Sequence, residues 1–208
     1  MVEVYYYIPA GKAENAVACG IKLTEWHDRE IEIEGVRKKC ISALLNPRDD
    51  YEKYISTEYK CLKLEVMPKY CFAADRLLYM AGLSFPEIMG IYHSSVIPVE
   101  DYNFGRYRLP ECLVTSTVIG DFVKLLDKRL DSPILFSSSE DLYMNNIIEG
   151  YKEKHSDFTD AMLYSFYCRL ADTGRVRRVS DEGSGIAVFI DDRDGRAYTL
   201  KTPDLEKY

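Results

Sequence analysis

No run of apolar residues in this chain approaches the length that spans a bilayer, so no membrane-spanning helix is expected. The first residues, Met1-Val-Glu-Val-Tyr-Tyr-Tyr-Ile8, lack the basic start and apolar stretch of a secretory signal, and the expected location is cytoplasmic. Cysteines at positions 19, 40, 61, 71, 112 and 168 include no Cys-x-x-Cys pair, and the three histidines (His27, His93, His155) are scattered. That spacing points away from a zinc site, and the thiols are expected free in a reducing compartment. There is no glycine-rich phosphate loop and no Gly-x-Ser-x-Gly elbow. A basic surplus is missing too: 27 Lys and Arg against 34 Asp and Glu leave a net charge of −7. This argues against a broad, sequence-independent grip on nucleic acid; Arg175–Arg178 and Arg106 with Arg108 are candidate local basic patches, or simply solvated surface.

What is present fits a folded domain. Hydrophobic residues make up 47% of the 208 positions, enough for a core in one domain or one domain with an appendage. Val2–Ile8 reads as a strand, Ala13–Cys19 as a short helix with Gly20 as its C-cap, and Cys40–Leu45 as a buried strand. Ile31–Val36 alternates charged and apolar residues without declaring its type. Asp49–Thr57 is polar and turn-like. Tyr59–Met67 is the clearest strand, closed by Pro68. Tyr70–Ala74 reads as a strand, Asp75–Ala81 as a helical turn stopped by Gly82, Phe85–Ile91 as helix and Glu111–Val114 as a strand. Ile119–Leu130 has an amphipathic helical pattern, and Pro133–Phe136 reads as a short strand. The texture changes at Ser137–Asp141. Beyond it, Phe158–Ala171 reads as a helix, and the segments at 188–190 and 197–200 flank an Asp-rich turn as a hairpin.

Two stretches carry the candidate chemistry. Arg106-Tyr-Arg-Leu-Pro-Glu-Cys-Leu-Val114 sets one acid, Glu111, at the mouth of an apolar strand, an expensive position unless the carboxylate has a partner or a task. Ile41-Ser-Ala-Leu-Leu-Asn-Pro-Arg48 ends a strand-like run in an Asn-Pro turn that delivers Arg48. The residues alone leave alternatives open. Glu111 can pair with Arg106 or Arg108, and Arg48 with Asp49 or Asp50. Tyr7 can be a half-buried strand residue, one of 17 tyrosines.

Taken in order, Tyr6-Tyr-Ile-Pro9, Asn46-Pro-Arg48, Ile97-Pro-Val-Glu-Asp-Tyr102 and Glu111-Cys-Leu-Val114 resemble the ADP-ribosyltransferase fold, with DarT-type DNA ADP-ribosyltransferase toxins the nearest match over residues 1–136. The chain departs from that pattern at Tyr7, where the family has histidine, and at Pro9, where it has a hydroxyl residue. The resemblance implies an α+β fold with a split mixed or antiparallel sheet and short helices. It places an ADP-ribosyltransferase-like domain at 1–136 and a C-terminal helix and hairpin at 137–208. It implies NAD as substrate and no metal. Glu111 becomes the catalytic acid, and Arg48, Tyr7, Asn46 and Tyr51 become NAD-binding residues. The acceptor is a nucleic acid or a protein. The alternative is a degenerate member that keeps the fold and binds a nucleotide, nucleic acid or protein without chemistry.

Overall fold

The computed structural model describes residues 1–33, 35–126, 138–181 and 185–207. It is an α+β structure in two compact units, Met1–Asn145 and Asn146–Tyr208. The expected boundary at 136–137, and the expected strand Pro133–Phe136, lie outside the described residues.

The first unit is built on strands β1 (Val2–Pro9), β2 (Arg29–Ile33), β3 (Val36–Leu44), β4 (Tyr59–Val66), β5 (Cys71–Asp75), β6 (Ile97–Pro98), β7 (Pro110–Val114) and β8 (Val123–Leu125). They form an eight-stranded sheet in the order β6-β5-β7-β3-β1-β4-β8, with β2 as a further partner of β3. Every pairing is antiparallel. The short helices are α1 (Ala13–Cys19), α2 (Leu23–Trp26), α3 (Tyr51–Ile55), α4 (Arg76–Gly82) and α5 (Pro86–Ser95).

Period-two alternation sorts the side chains onto two faces. Val4, Ile8, Ile41, Ala43, Cys112 and Val114 pack in one core with Ala13 and Ala16 of α1. The other face carries two smaller clusters. Tyr5, Leu44 and Cys61 pack with Tyr54 of α3, while Cys40, Ala74 and Leu113 pack with Tyr92 of α5. Strand β7 is buried along its whole length because both faces of the sheet are covered there.

The sheet is nearly divided in its middle. Strand β1 pairs with β4 from Val2↔Val66 to Pro9↔Tyr59, but with β3 through one residue pair, Tyr5↔Leu44. Beyond that pair the two strands no longer bond, and a wedge opens between them.

Three sequence expectations are corrected. The expected helix Ile119–Leu130 is, in its described part, a 3-10 turn at Gly120–Phe122 leading into strand β8, which pairs Leu62↔Leu125 with β4. Its apolar spacing serves a short edge strand instead of a helix face. The polar segment after Asp49 contains helix α3, because the Asp50 side chain accepts from the Lys53 N–H and caps it. The sequence from Ser139 onward forms helix α6 (Ser139–Lys154), where only a change of texture was read.

In the second unit, helix α7 (Phe158–Asp172) packs on strands β9 (Arg177–Asp181), β10 (Ile186–Asp191) and β11 (Arg196–Lys201). The strands form an antiparallel sheet in the order β11-β10-β9. Tyr164, Val176, Ala187 and Phe189 are its buried centre. The expected hairpin is β10 and β11, joined through Asp191↔Arg196.

Candidate functional site

The wedge between β1 and β3 holds a polar cleft of about 170 Å3. Its walls include Tyr7 of β1, Ser42 of β3, Glu111 of β7, Asp50 and Lys53 at the start of α3, and Arg76 at the start of α4. Strand registry explains the grouping. Leu44 is opposite both Tyr5 and Glu111, so directly paired residues on three adjacent strands share one face. Tyr7 and Ser42 are each two residues further on, along the same face.

Glu111 is 1% exposed. Its Oε1 accepts from the Tyr92 hydroxyl at 2.9 Å, and its Oε2 accepts from Arg29 at 3.3 Å. Burial pushes its carboxyl above the usual carboxylate range. The charge of Arg29, the hydrogen bonds from Tyr92 and Arg29, and the charge of Arg76 oppose that shift without cancelling it. Burial, reinforced by the Glu111 charge, pushes the Tyr92 hydroxyl upward in turn. The Arg29 guanidinium lies over the Tyr79 ring, 3.5 Å from its centre, so strand β2 and helices α4 and α5 all contribute to holding one carboxylate. The expected partners are therefore corrected. Arg108 pairs with Glu140 and Arg106 lies over the Tyr107 ring, so neither is the partner of Glu111. The acid is also not at a solvent-washed strand mouth but at the floor of the cleft.

The other expected residues are distributed. Tyr7 lines the cleft, and its hydroxyl donates to the Pro47 carbonyl at 2.7 Å; burial, above all, pushes that hydroxyl far up. Asn46 is buried, and its side chain accepts from the Arg48 N–H at 3.1 Å, capping the 3-10 turn Pro47–Asp50. Arg48 lies in that turn, with its guanidinium 5.9 Å from the centre of the Tyr54 ring, and does not line the cleft. Tyr51 is 63% exposed and does not line it either. Asp49, once a candidate partner of Arg48, accepts from the N–H and hydroxyl of Ser139 at 2.8 and 2.6 Å.

The cations at the cleft are Lys53 and Arg76. Asp50 sits between them, 2.6 Å from Lys53 and 3.9 Å from Arg76. Asp28, which also lines the cleft, accepts from the Ser42 N–H at 2.8 Å and from its hydroxyl at 2.5 Å. Arg29, Tyr92, Ser42, Lys53 and Arg76 were not singled out from sequence. The charged alternation read at Ile31–Val36 includes the end of β2 (Ile31–Ile33) and the first residue of β3 (Val36), and Arg29 lies two residues before it. Among the described residues no group of three or more His, Cys, Asp or Glu side chains could hold a metal ion. All six cysteines are free thiols.

The arrangement can do two things chemically. A buried carboxylate kept ionisable by one arginine can face positive charge developing above it, and the Lys53–Arg76 edge can meet an anion if Asp50 yields. Compared with family models, with curated proteins and with solved structures, the chain matches none.

Proposed function

We propose that the chain is an ADP-ribosyltransferase that cleaves NAD in the wedge between β1 and β3 and passes the ADP-ribose to a nucleic acid or protein acceptor. The observation that carries this reading is the near-division of the sheet at the single pair Tyr5↔Leu44, with Glu111 at the floor of the opening. It joins the resemblance seen in the sequence to a cavity of suitable chemistry. Breaking the nicotinamide–ribose bond builds oxocarbenium-like charge on the sugar, as glycoside cleavage does. A fixed carboxylate stabilises that charge and can take a proton from the incoming nucleophile. Glu111 fills this role, with Arg29 and Tyr92 as positioning residues. A cleft of about 170 Å3 is smaller than usual ligand pockets, so it accepts the reacting part of NAD and leaves the remainder along its rim. Lys53 and Arg76 are then the cations nearest the pyrophosphate, and Arg48 would act from outside the cleft.

One observation favours a second reading. Both Glu111 oxygens are occupied and the residue is 1% exposed, as expected of an acid that braces a sheet. A degenerate member of the fold would bind NAD or a nucleotide and leave it intact.

Incubation of the purified protein with NAD separates the two. In the first reading free nicotinamide accumulates, and Glu111→Gln lowers its rate about 100- to 1000-fold while NAD binding changes little. Saturable NAD binding with no nicotinamide from wild type selects the second reading. Absence of both binding and release removes the first reading, and NAD as the ligand of the second.

A further inference from the structure

The charged side chains lining the Glu111 cleft are Asp28, Asp50 and Glu111 against Lys53 and Arg76. Acids outnumber cations, so the count selects no ligand and the pairing decides. Asp28 is taken up by the N–H and hydroxyl of Ser42, and Glu111 by Arg29 and Tyr92. Asp49, next to Asp50 in the turn, is committed to Ser139. One acid is left for both cations. A single oxygen of Asp50, Oδ2, lies 2.6 Å from the Lys53 ammonium and 3.9 Å from the Arg76 guanidinium. Its other oxygen, Oδ1, accepts from the Lys53 N–H at 3.3 Å. Among the described residues no other acid lies within 4 Å of either cation. The two contacts are unequal: Lys53 is fully engaged, whereas 3.9 Å is beyond hydrogen-bond reach, so Arg76 keeps its donors. The Lys53 and Arg76 side chains are 35% and 32% exposed, open enough to be met from the cleft.

We propose that Asp50 is a built-in competitor: its carboxylate occupies the subsite for a ligand's phosphate oxygens, and the ligand enters by displacing it. The inference rests on the NAD reading for the natural ligand, whose pyrophosphate is the displacing group. Geometry names the class. The Asp50 oxygen bonds one cation and leaves the other short, whereas a pyrophosphate carries oxygens enough to meet Lys53 and Arg76 together. A planar guanidinium also matches phosphate oxygens in a bidentate way. A monocarboxylate brings nothing that Asp50 does not already supply, and the tether of Asp50 sets its effective concentration far above that of a free anion. The cleft therefore admits polyphosphate groups and rejects simple carboxylates. The fold loses little in the exchange. Asp50 turns about its side-chain bonds and gives up one long cap bond to α3, a helix of five residues.

Inorganic pyrophosphate and acetate test this, titrated into the full-length protein at fixed ionic strength and followed by amide chemical shifts. Asp50→Asn is the decisive variant, because Asn caps a helix as well as Asp does and removes only the charge; Asp50→Ser, also a cap without charge, repeats the reading on a second background. Pyrophosphate should saturate wild type with a dissociation constant on the order of 1 mM, and acetate should not saturate by about 50 mM. Asp50→Asn should tighten pyrophosphate about 10-fold, and adding Arg76→Gln or Lys53→Gln should cancel the gain. Pyrophosphate affinities of Asp50→Asn and Asp50→Ser within about 2-fold of wild type overturn the proposal, because nothing was then being displaced. So does a gain that survives both Arg76→Gln and Lys53→Gln, and so does acetate binding as tight as that of pyrophosphate. No saturation of Asp50→Asn by about 20 mM pyrophosphate removes the subsite itself. Pyrophosphate has no nicotinamide to lose, so this titration and the NAD incubation fail separately. Tightened pyrophosphate without nicotinamide release keeps the subsite and removes the cleavage. Nicotinamide release with unaltered pyrophosphate binding removes the role of Asp50.

Discussion

Burial disfavours a charge on Glu111, and Arg29 is the neighbour that makes such a charge tolerable. Removing one member of a buried ion pair typically costs about 3–5 kcal/mol, because the other is left uncompensated. Arg29→Gln should therefore lower the denaturant midpoint strongly. Adding Glu111→Gln to Arg29→Gln should recover a large part of the loss, and a double-mutant cycle in urea reads that coupling. A cycle with no coupling would mean that the pair holds nothing together. The pH dependence follows from the same neighbours. Arg29, Arg76, Tyr92 and Cys40 face the acid, and its pKa still lies above the ordinary carboxylate value of about 4.3. If ionised Glu111 performs the cleavage, nicotinamide release should rise with pH through a midpoint above about 4.3, and that midpoint should climb further in Arg29→Gln. In stability the sign is opposite. The unfolded chain loses this proton at lower pH than the folded chain, so protonated Glu111 favours folding and the benefit disappears as pH rises through the raised value.

At the scale of elements, the position of helix α1 depends on one glycine. Gly20 has φ +79°, and its N–H donates to the Ala16 carbonyl at 2.9 Å to end the helix. A side chain there would meet the backbone carbonyl of Val118, which accepts from the Ile21 N–H at 2.8 Å. With ψ at −178°, this positive-φ backbone is essentially glycine's alone and costs another residue about 1–3 kcal/mol, and the collision adds to it. Gly20→Ala should thus lower stability by at least about 2 kcal/mol, whereas Gly11→Ala, with open space around its Cβ, should stay within about 0.5 kcal/mol. Thermal melts of the two variants decide; equal melting temperatures would refute the role assigned to Gly20. This glycine was legible as a C-cap because helix ends have a local chemistry. Helix α3 was less legible, because its cap, Asp50, is one acid in an acidic, polar segment. The pattern at Ile119–Leu130 was misleading, because an apolar period of three to four also arises where a 3-10 turn runs into a short strand.

For the whole molecule, each unit has buried clusters of its own, so each has a local source of stability. Phe189 is fully buried among Tyr164, Val176 and Ala187, and its ring stacks on Tyr167 at 5.4 Å. Phe189→Ala should cost the second unit about 3–5 kcal/mol. Amide hydrogen exchange along β10 should accelerate accordingly, and unchanged protection there would contradict the assigned core. The surface charge of −7 acts at this scale too. It disfavours anionic partners in general, so a nucleic-acid acceptor would need a local basic surface.

The α+β class, the main strands, the helix of the second unit and its hairpin could be read from the chain, because periodicity, caps and turn residues act over a few neighbouring positions. So could the interest of Glu111, since an acid entering an apolar strand is anomalous in any fold. Its partners were beyond such reading. Arg106 and Arg108 lie within five residues of it, yet Arg29, 82 positions away, forms the ion pair. Tyr92, 19 positions away on helix α5, supplies the second hydrogen bond. A split sheet is what the resemblance implies, but its place between β1 and β3 escaped the sequence, because both strands have sound strand patterns and nothing local says that they bond through a single pair. Strand order, registry and the gaps between strands are set by long-range packing, and in this chain the gap between β1 and β3 is the cleft that Glu111 lines.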